Sequence, residues 1–148
     1  MDDKSGTLNP HELLPFVIDM QRLDGYTILI VDDDLDILDS FDLAMRAEGA
    51  TTLTATDGTA AISKCNSGQP DAVILDMMLP KRSGFLVLEE LQKMIIAPIV
   101  IMVTANEGKR HMAYAKSLGV AAYLNKPVSL DKLIDTVSCL LREPGHLT

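Results

Sequence analysis

The chain has 148 residues, of which 47% are hydrophobic, and its formal net charge is −8. This length fits one globular domain that buries about two-thirds of the surface of its unfolded chain. The acidic balance disfavours direct binding of nucleic acid, and the opening sequence MDDKSGTLNP lacks the basic and apolar regions of a secretory signal. The uncharged run at 94–105 is too short to cross a bilayer, so we expect a soluble cytoplasmic protein without membrane contact.

From residue 26 onward, short β-branched runs alternate with longer amphipathic segments. The predicted strands are Thr27–Val31, Thr51–Ala55, Ala72–Leu75, Ile99–Val103 and Ala121–Leu124, and the predicted helices are 35–48, 58–67, 84–94, 107–118 and 129–142. The third and fourth strands are apolar on both faces, which is typical of a parallel sheet covered by helices on both sides. Five βα repeats therefore predict an α/β doubly wound fold with a five-stranded parallel sheet.

The helix ends carry recognisable capping residues. Gly49 and Gly119 follow the first and fourth helices as carboxyl-terminal caps, and Asp34 and Ser129 stand at N-cap positions before the first and fifth.

Polar side chains follow the predicted strands at the edge of the sheet where open α/β folds bind ligands. These residues are Asp32 and Asp33, Asp76, Thr104, and Asn125 with Lys126. Two carboxylates about 5 Å apart repel by roughly 3 kcal/mol at an effective dielectric constant near 20. Mg²⁺ prefers carboxylate oxygens and relieves such repulsion, so the aspartate cluster predicts a magnesium site.

A lysine, a threonine and a metal around one carboxylate suit phosphoryl transfer onto that carboxylate. The metal and the ammonium neutralise charge on the phosphoryl oxygens, and the hydroxyl donates to another oxygen. Asp76 is the predicted nucleophile, and its product would be an aspartyl phosphate.

The segments ILIVDDD, PDAVILDMMLPKRSG, IVIMVTA and AAYLNKP occur in family order and at family-like spacing. On these segments the chain resembles the receiver domain of two-component response regulators (CheY-like), over residues 26 to about 142. The resemblance implies a flavodoxin-like (βα)5 fold with strand order 2-1-3-4-5. It also implies that a sensor histidine kinase or phosphotransfer protein donates the phosphoryl group to Asp76, which makes the chain a signalling receiver and not a turnover enzyme.

The resemblance also assigns roles to single residues. Asp33 would bind Mg²⁺ directly, Asp32 mainly through water, and Met78 through its backbone carbonyl, beside Asp76. Lys126 would pair with a phosphoryl oxygen, and the peptide bond between Lys126 and Pro127 is expected to be cis.

A switch is implied as well. Thr104 would move towards the phosphoryl group, next to the small Ala105, and Tyr123 would turn inward into the vacated space. The face formed by the fourth helix, fifth strand and fifth helix would then change its preference for a downstream protein of unknown identity, or for a second copy in a homodimer.

The ends of the chain are predicted to lie outside this domain. Residues 1–24 form an extension or linker, 25–142 the receiver, and 143–148 a tail too short to be a DNA-binding domain. Both a stand-alone receiver and a piece of a larger regulator or hybrid kinase fit this layout. In the extension, residues 1–12 resemble an EF-hand calcium loop, although Met1 replaces its first aspartate; the matching positions are Asp3, Ser5, Thr7 and Glu12.

Two other functions are open. A pseudo-receiver would fold without being phosphorylated and act as a constitutive interaction module. A phosphatase of the haloacid dehalogenase type also uses an aspartyl phosphate, but Asp36 stands where its first motif needs Thr or Val. Two isolated cysteines, Cys65 and Cys139, are expected to be small buried residues.

Overall fold

The computed structural model describes residues 22–105 and 108–142 as five strands alternating with five helices. The elements are β1 (Thr27–Val31), α1 (Leu35–Ala47), β2 (Thr51–Ala55), α2 (Gly58–Gly68), β3 (Ala72–Leu75), α3 (Gly84–Gln92), β4 (Ile99–Thr104), α4 (Lys109–Ser117), β5 (Ala122–Asn125) and α5 (Leu130–Arg142). All strand pairs are parallel, in the order β2-β1-β3-β4-β5. The predicted α/β fold and strand order are confirmed.

Alternating residues of each strand feed two apolar layers, one on each side of the sheet. One layer joins the sheet to α1 and α5, and the other joins it to α2, α3 and α4. β3 is buried along its whole length, as its continuous apolar sequence predicts. Because both faces are covered, functional side chains can reach solvent only at the ends of the strands or on the outer helix faces.

The predicted caps are present. The Asp34 carboxylate accepts hydrogen bonds from the backbone N–H groups of Asp36 (3.0 Å) and Ile37 (3.2 Å). The Ser129 hydroxyl accepts from Lys132 N–H at 3.1 Å. Gly49 and Gly119 have φ angles of +97° and +93°, a left-handed conformation that favours glycine at helix ends.

The strand bounds differ by one residue at two places. β4 includes Thr104, and β5 runs over Ala122–Asn125 instead of Ala121–Leu124, because Thr104 and Asn125 are still paired in the parallel ladder. Lys126 N–H then donates to the Thr104 carbonyl at 2.9 Å. Helices α3 and α4 are shorter than predicted, and α3 ends at Gln92. Thr104 is therefore held more firmly than a loop residue would be.

The prediction for the cysteines is half right. Cys65 is buried in α2, whereas Cys139 is exposed on α5, because its position faces away from the sheet while Val137 and Leu141 face it. The EF-hand-like loop, most of the extension and the 143–148 tail lie outside the described residues, and the predicted domain limits stay predictions. No helix in the described part of the chain combines the length and apolar character needed to cross a membrane.

Candidate functional site at the carboxyl end of the sheet

The carboxyl ends of β1, β3 and β5 bring the predicted site residues to one edge of the sheet. The Asp32 N–H donates to the Ala55 carbonyl (3.2 Å) and the Asp76 N–H donates to the Val31 carbonyl (3.1 Å), so both aspartates extend the backbone ladder. Lys126 follows β5 and reaches back across the edge of the sheet towards them. Since ordered strands place the backbones, the convergence of these side chains is a property of the fold.

One carboxylate oxygen from each of Asp32, Asp33 and Asp76 lies within 4.8 Å of the others. Asp32 and Asp76 are buried, at 3% and 6% exposure, whereas Asp33 is exposed. Clustered carboxylates are the hard oxygen donors that Mg²⁺ takes, and the open side at Asp33 leaves room for the water ligands that this ion retains. The residues present therefore fit a magnesium ion.

Lys126 forms ion pairs with two of these acids. Its Nζ atom lies 2.6 Å from Asp32 Oδ2 and 3.0 Å from Asp76 Oδ2. Burial by itself would lower the pKa of Lys126, but the hydrogen bonds to the two carboxylates outweigh burial and raise it. For Asp32, burial raises the pKa even though Lys126 opposes the shift. The Lys126 ammonium thus pairs with two buried carboxylates, and its raised pKa keeps it protonated.

The second oxygen of each buried acid is fixed by a local turn. Asp32 Oδ1 accepts from Asp34 N–H at 2.9 Å, and Asp76 Oδ1 accepts from Met78 N–H at 3.1 Å. The same turn orients the backbone around Met78, whose side chain is exposed. These hydrogen bonds therefore preorganise the two carboxylates. Preorganisation is the condition for efficient electrostatic stabilisation of a reacting group.

The sequence analysis missed Gly84, which lets the start of α3 approach the Asp76 backbone. A Cβ atom at this position would lie 2.4 Å from the Asp76 carbonyl oxygen and 2.6 Å from Met77 Cα, and Gly84 N–H donates to the Met77 carbonyl at 2.8 Å. Any larger residue here would push the Asp76 loop outward. The signal was present in PKRSG, a glycine that opens a helix soon after a buried strand.

Two further residues that the sequence analysis missed fasten this loop to α2. Lys81 adopts a φ of +69°, and its Nζ atom lies 3.5 Å from Asp57 Oδ2. Asp57 also caps α2 by accepting from Ala60 N–H at 2.8 Å. That hydrogen bond is the main cause of its lowered pKa, and Lys81 adds to it. Nothing in the local sequence pairs these two residues, because they are 24 positions apart and meet only in the folded chain.

Thr104 lies on β4, the strand next to β3 and Asp76, and Tyr123 lies on β5, one strand further out. Thr104 is fully buried at the end of β4, and Ala105 after it is exposed. Tyr123 is half-buried opposite Met102 on β5. Burial first, and then the charge of Asp76, raise the pKa of Tyr123. The charge of Asp76 thus affects the ionisation of the Tyr123 hydroxyl.

An open apolar groove of about 540 Å³ adjoins the site on the α1 side. Its lining includes Ile37 and Phe41 from α1 and Pro127, Val128 and Leu130 from the segment after β5. The Lys126–Pro127 peptide bond is cis, as predicted. A second macromolecule that presents a group to Asp76 would find an apolar contact surface beside it.

Comparison with known proteins agrees with this geometry. The family model described as the response regulator receiver domain matches residues 28–138. The "Probable transcriptional regulatory protein TcrX" of Mycobacterium tuberculosis is 34% identical over 131 residues, 87% of this chain and 56% of that protein. "Sensory transduction protein RegX3" of the same species is 35% identical over 119 residues, 80% of this chain and 52% of that protein. This chain thus spans about half the length of these curated relatives.

A solved structure of a receiver domain also matches this chain. The crystal structure of a "response regulator receiver domain protein (CheY-like)" from Methanospirillum hungatei superposes with a TM-score of 0.78 at 28% identity. The match covers 85% of this chain and 99% of that one.

Proposed function

This chain belongs to the response regulator receiver domain family, and from that premise we propose that Asp76 accepts a phosphoryl group in a Mg²⁺-dependent reaction. Receivers of this family are signalling domains of two-component systems, not turnover enzymes. The observation that carries the proposal is the double ion pair of Lys126 with Asp32 and Asp76, with the Asp33 carboxylate completing the cluster.

The donor would be a phosphohistidine of a sensor histidine kinase or phosphotransfer protein. A carboxylate oxygen of Asp76 attacks phosphorus, the P–N bond to the imidazole breaks, and the released imidazole nitrogen takes up a proton. Lys126 neutralises negative charge on the transferred group, and Thr104 offers a hydroxyl to it. Asp32, Asp33, Asp76 and the Met78 carbonyl would hold a Mg²⁺ ion, which would supply further positive charge there.

The kinase would dock on the groove beside the site. Ile37 and Phe41 of α1 and Leu130 of α5 give an apolar surface, and Leu35 adds an exposed side chain at the start of α1. This surface lies next to Lys126. Its position supports the proposal that a partner docked there presents its histidine to Asp76.

The response would be a shift between two conformations of the receiver. A phosphoryl group adds close to two negative charges beside Thr104, and a small movement of Thr104 frees space for the half-buried Tyr123 ring. The face of α4, β5 and α5 then changes its affinity for a downstream protein or for a second copy of the chain. We propose protein contact, not direct nucleic-acid binding, as the output of residues 25–142, in keeping with the net charge of −8.

The test uses acetyl phosphate as a small phosphodonor in the presence and absence of Mg²⁺. We expect the intact mass to rise by one phosphate only with Mg²⁺, and the adduct to be labile to hydroxylamine, as an acyl phosphate is. Asp76→Asn should stay unmodified, and Asp39→Asn, at an exposed position of α1, should be modified like wild type. An unmodified wild-type chain would indicate a pseudo-receiver instead.

A further inference from the structure

The amino end of the sheet, opposite the acid cluster, carries an apolar groove of about 810 Å³. The segment between α3 and β4 forms one wall of this groove, and the start of β1 together with the end of α5 forms another. Its apolar lining includes Tyr26, Pro70, Met94, Ile96, Pro98 and Leu141. Nothing in the phosphoryl-transfer proposal uses this groove, because it lies at the other end of the strands.

Two isoleucines at this groove are fully or almost fully exposed. Ile95 has 103% and Ile96 has 86% of its surface accessible, the highest values of any large hydrophobic side chain among the described residues. Single exposed apolar residues are ordinary on protein surfaces. Two adjacent isoleucines on the rim of an apolar groove form a patch, and such patches mark interaction sites.

The chain enters the described fold beside the same groove. Leu23 is buried and its N–H donates to the Glu48 carbonyl at 2.8 Å, and Tyr26 N–H donates to the Leu23 carbonyl at 3.1 Å. The Tyr26 hydroxyl donates to the Leu141 carbonyl at 3.3 Å. Arg22 pairs with Asp135 of α5 at 2.6 Å. The described part of the chain therefore begins at Arg22, four residues before Tyr26 of the groove wall.

We propose that the segment LLPFVIDM, residues 13–20 of this same chain, occupies this groove and covers Ile95 and Ile96. Seven of its eight residues are apolar, and Asp19 carries its only charge. An extended chain spans roughly 3.3–3.6 Å per residue, so Phe16 can lie up to about 20 Å from Arg22, which is enough to reach across the groove. The tethered segment needs no partner concentration to bind, which favours it over a separate molecule.

A double-mutant cycle in the full chain tests this contact. Phe16→Ser and Ile96→Ser are made singly and together, and the unfolding equilibrium constant is measured by urea denaturation. Each single change should raise that constant by about tenfold, because it removes a large apolar side chain that docking of the segment would bury. The double variant should be little worse than either single variant, a coupling of about fivefold or more, and the result should not depend on protein concentration.

Leu86→Ser is the matched control, because Leu86 is an exposed apolar residue of α3 that does not line the groove. Its effect should add to that of Phe16→Ser without coupling. Additive effects of Phe16→Ser and Ile96→Ser, or no effect of Ile96→Ser, would overturn the proposal. Stability that rises with protein concentration, together with a dimer in sedimentation, would assign the groove to a second copy and would also overturn it.

Cysteine trapping keeps the test independent of how much each serine variant destabilises the fold. Val17→Cys and Ile96→Cys are combined in a Cys139→Ser background, in which the remaining Cys65 is buried. Oxidation should give a cross-linked monomer. A cross-linked dimer, or two thiols that stay free, would contradict docking of the segment on its own receiver.

Discussion

Helices α4 and α5 flank the same edge of the sheet, on its two opposite faces, but they are attached to it in different ways. α5 buries Leu133, Ile134, Val137 and Leu141 in the core. Within its described residues α4 buries Ala115 alone. A helix with one small buried side chain gains little from the hydrophobic effect, so its position depends on weaker contacts.

Surface contacts join α4 to α3. The Phe85 ring stacks on His111 at a centroid distance of 5.8 Å and meets Tyr114 edge-on at 5.0 Å. The Tyr114 hydroxyl donates to Glu89 at 2.7 Å. Breaking surface contacts of this kind costs little free energy, because water or other side chains can replace them. Moving α5, by contrast, would expose the core. From this comparison we predict that the proposed phosphorylation of Asp76 moves α4 and leaves α5 in place.

The largest expected effect is a difference in unfolding free energy between a truncated side chain on α5 and one on α4. Leu133→Ala should lower the free energy of unfolding by about 3 kcal/mol, since it leaves a cavity in the core. Met112→Ala on α4, where the side chain is only half-buried, should cost under about 1 kcal/mol. Urea denaturation of both variants gives the two values. Equal losses would show that α4 is anchored as firmly as α5.

A medium effect is expected from Asp33→Asn, which removes one charge from the acid cluster. Without metal, this variant should be more stable than wild type by about 1 kcal/mol, because repulsion with Asp32 and Asp76 is relieved. Its affinity for Mg²⁺, followed by titration, should fall. Asp39→Asn, an exposed acid of α1 outside the cluster, serves as the control and should change neither quantity. A lower melting temperature of metal-free Asp33→Asn would argue against a clustered geometry.

A smaller effect is expected from Tyr114→Phe, which removes the hydrogen bond to Glu89 but keeps the ring against Phe85. Amide hydrogen exchange in α4 should become about threefold faster, while exchange in α5 stays at the wild-type rate. Unchanged exchange in α4 would mean that this hydrogen bond does not hold the helix.

The smallest effect is on pH dependence at the same contact. The hydrogen bond to Glu89, and then the Glu89 charge, raise the pKa of Tyr114 above 10.0. Because the pKa is raised in the folded state, the contribution of this contact to stability is complete below pH 10 and is lost as pH rises through the raised value. In Glu89→Gln, spectrophotometric titration should find Tyr114 ionising at lower pH than in wild type. An identical titration would place the Glu89 carboxylate elsewhere.

Periodicity and caps were enough to predict the α/β class and its elements, because a buried parallel sheet leaves a strong pattern of apolar runs and helix ends. The strand order came from the family resemblance. The acid cluster was predictable too, since any residue after a parallel strand lies at the same edge. What sequence reasoning missed depends on contacts between distant segments. Gly84 is needed because α3 packs on the Asp76 backbone, and Lys81 meets Asp57 only across a crossover.

Hydrogen exchange of α4 and α5 in the phosphorylated chain tests the central claim most directly. The chain is treated with acetyl phosphate and Mg²⁺, the one-phosphate mass increase is verified, and exchange is compared with that of Asp76→Asn treated in the same way. The account predicts changed exchange over 109–117 and unchanged exchange over 130–142 in the wild type alone. A phosphorylated chain in which α4 exchanges as before, or in which α5 changes just as much, would contradict it.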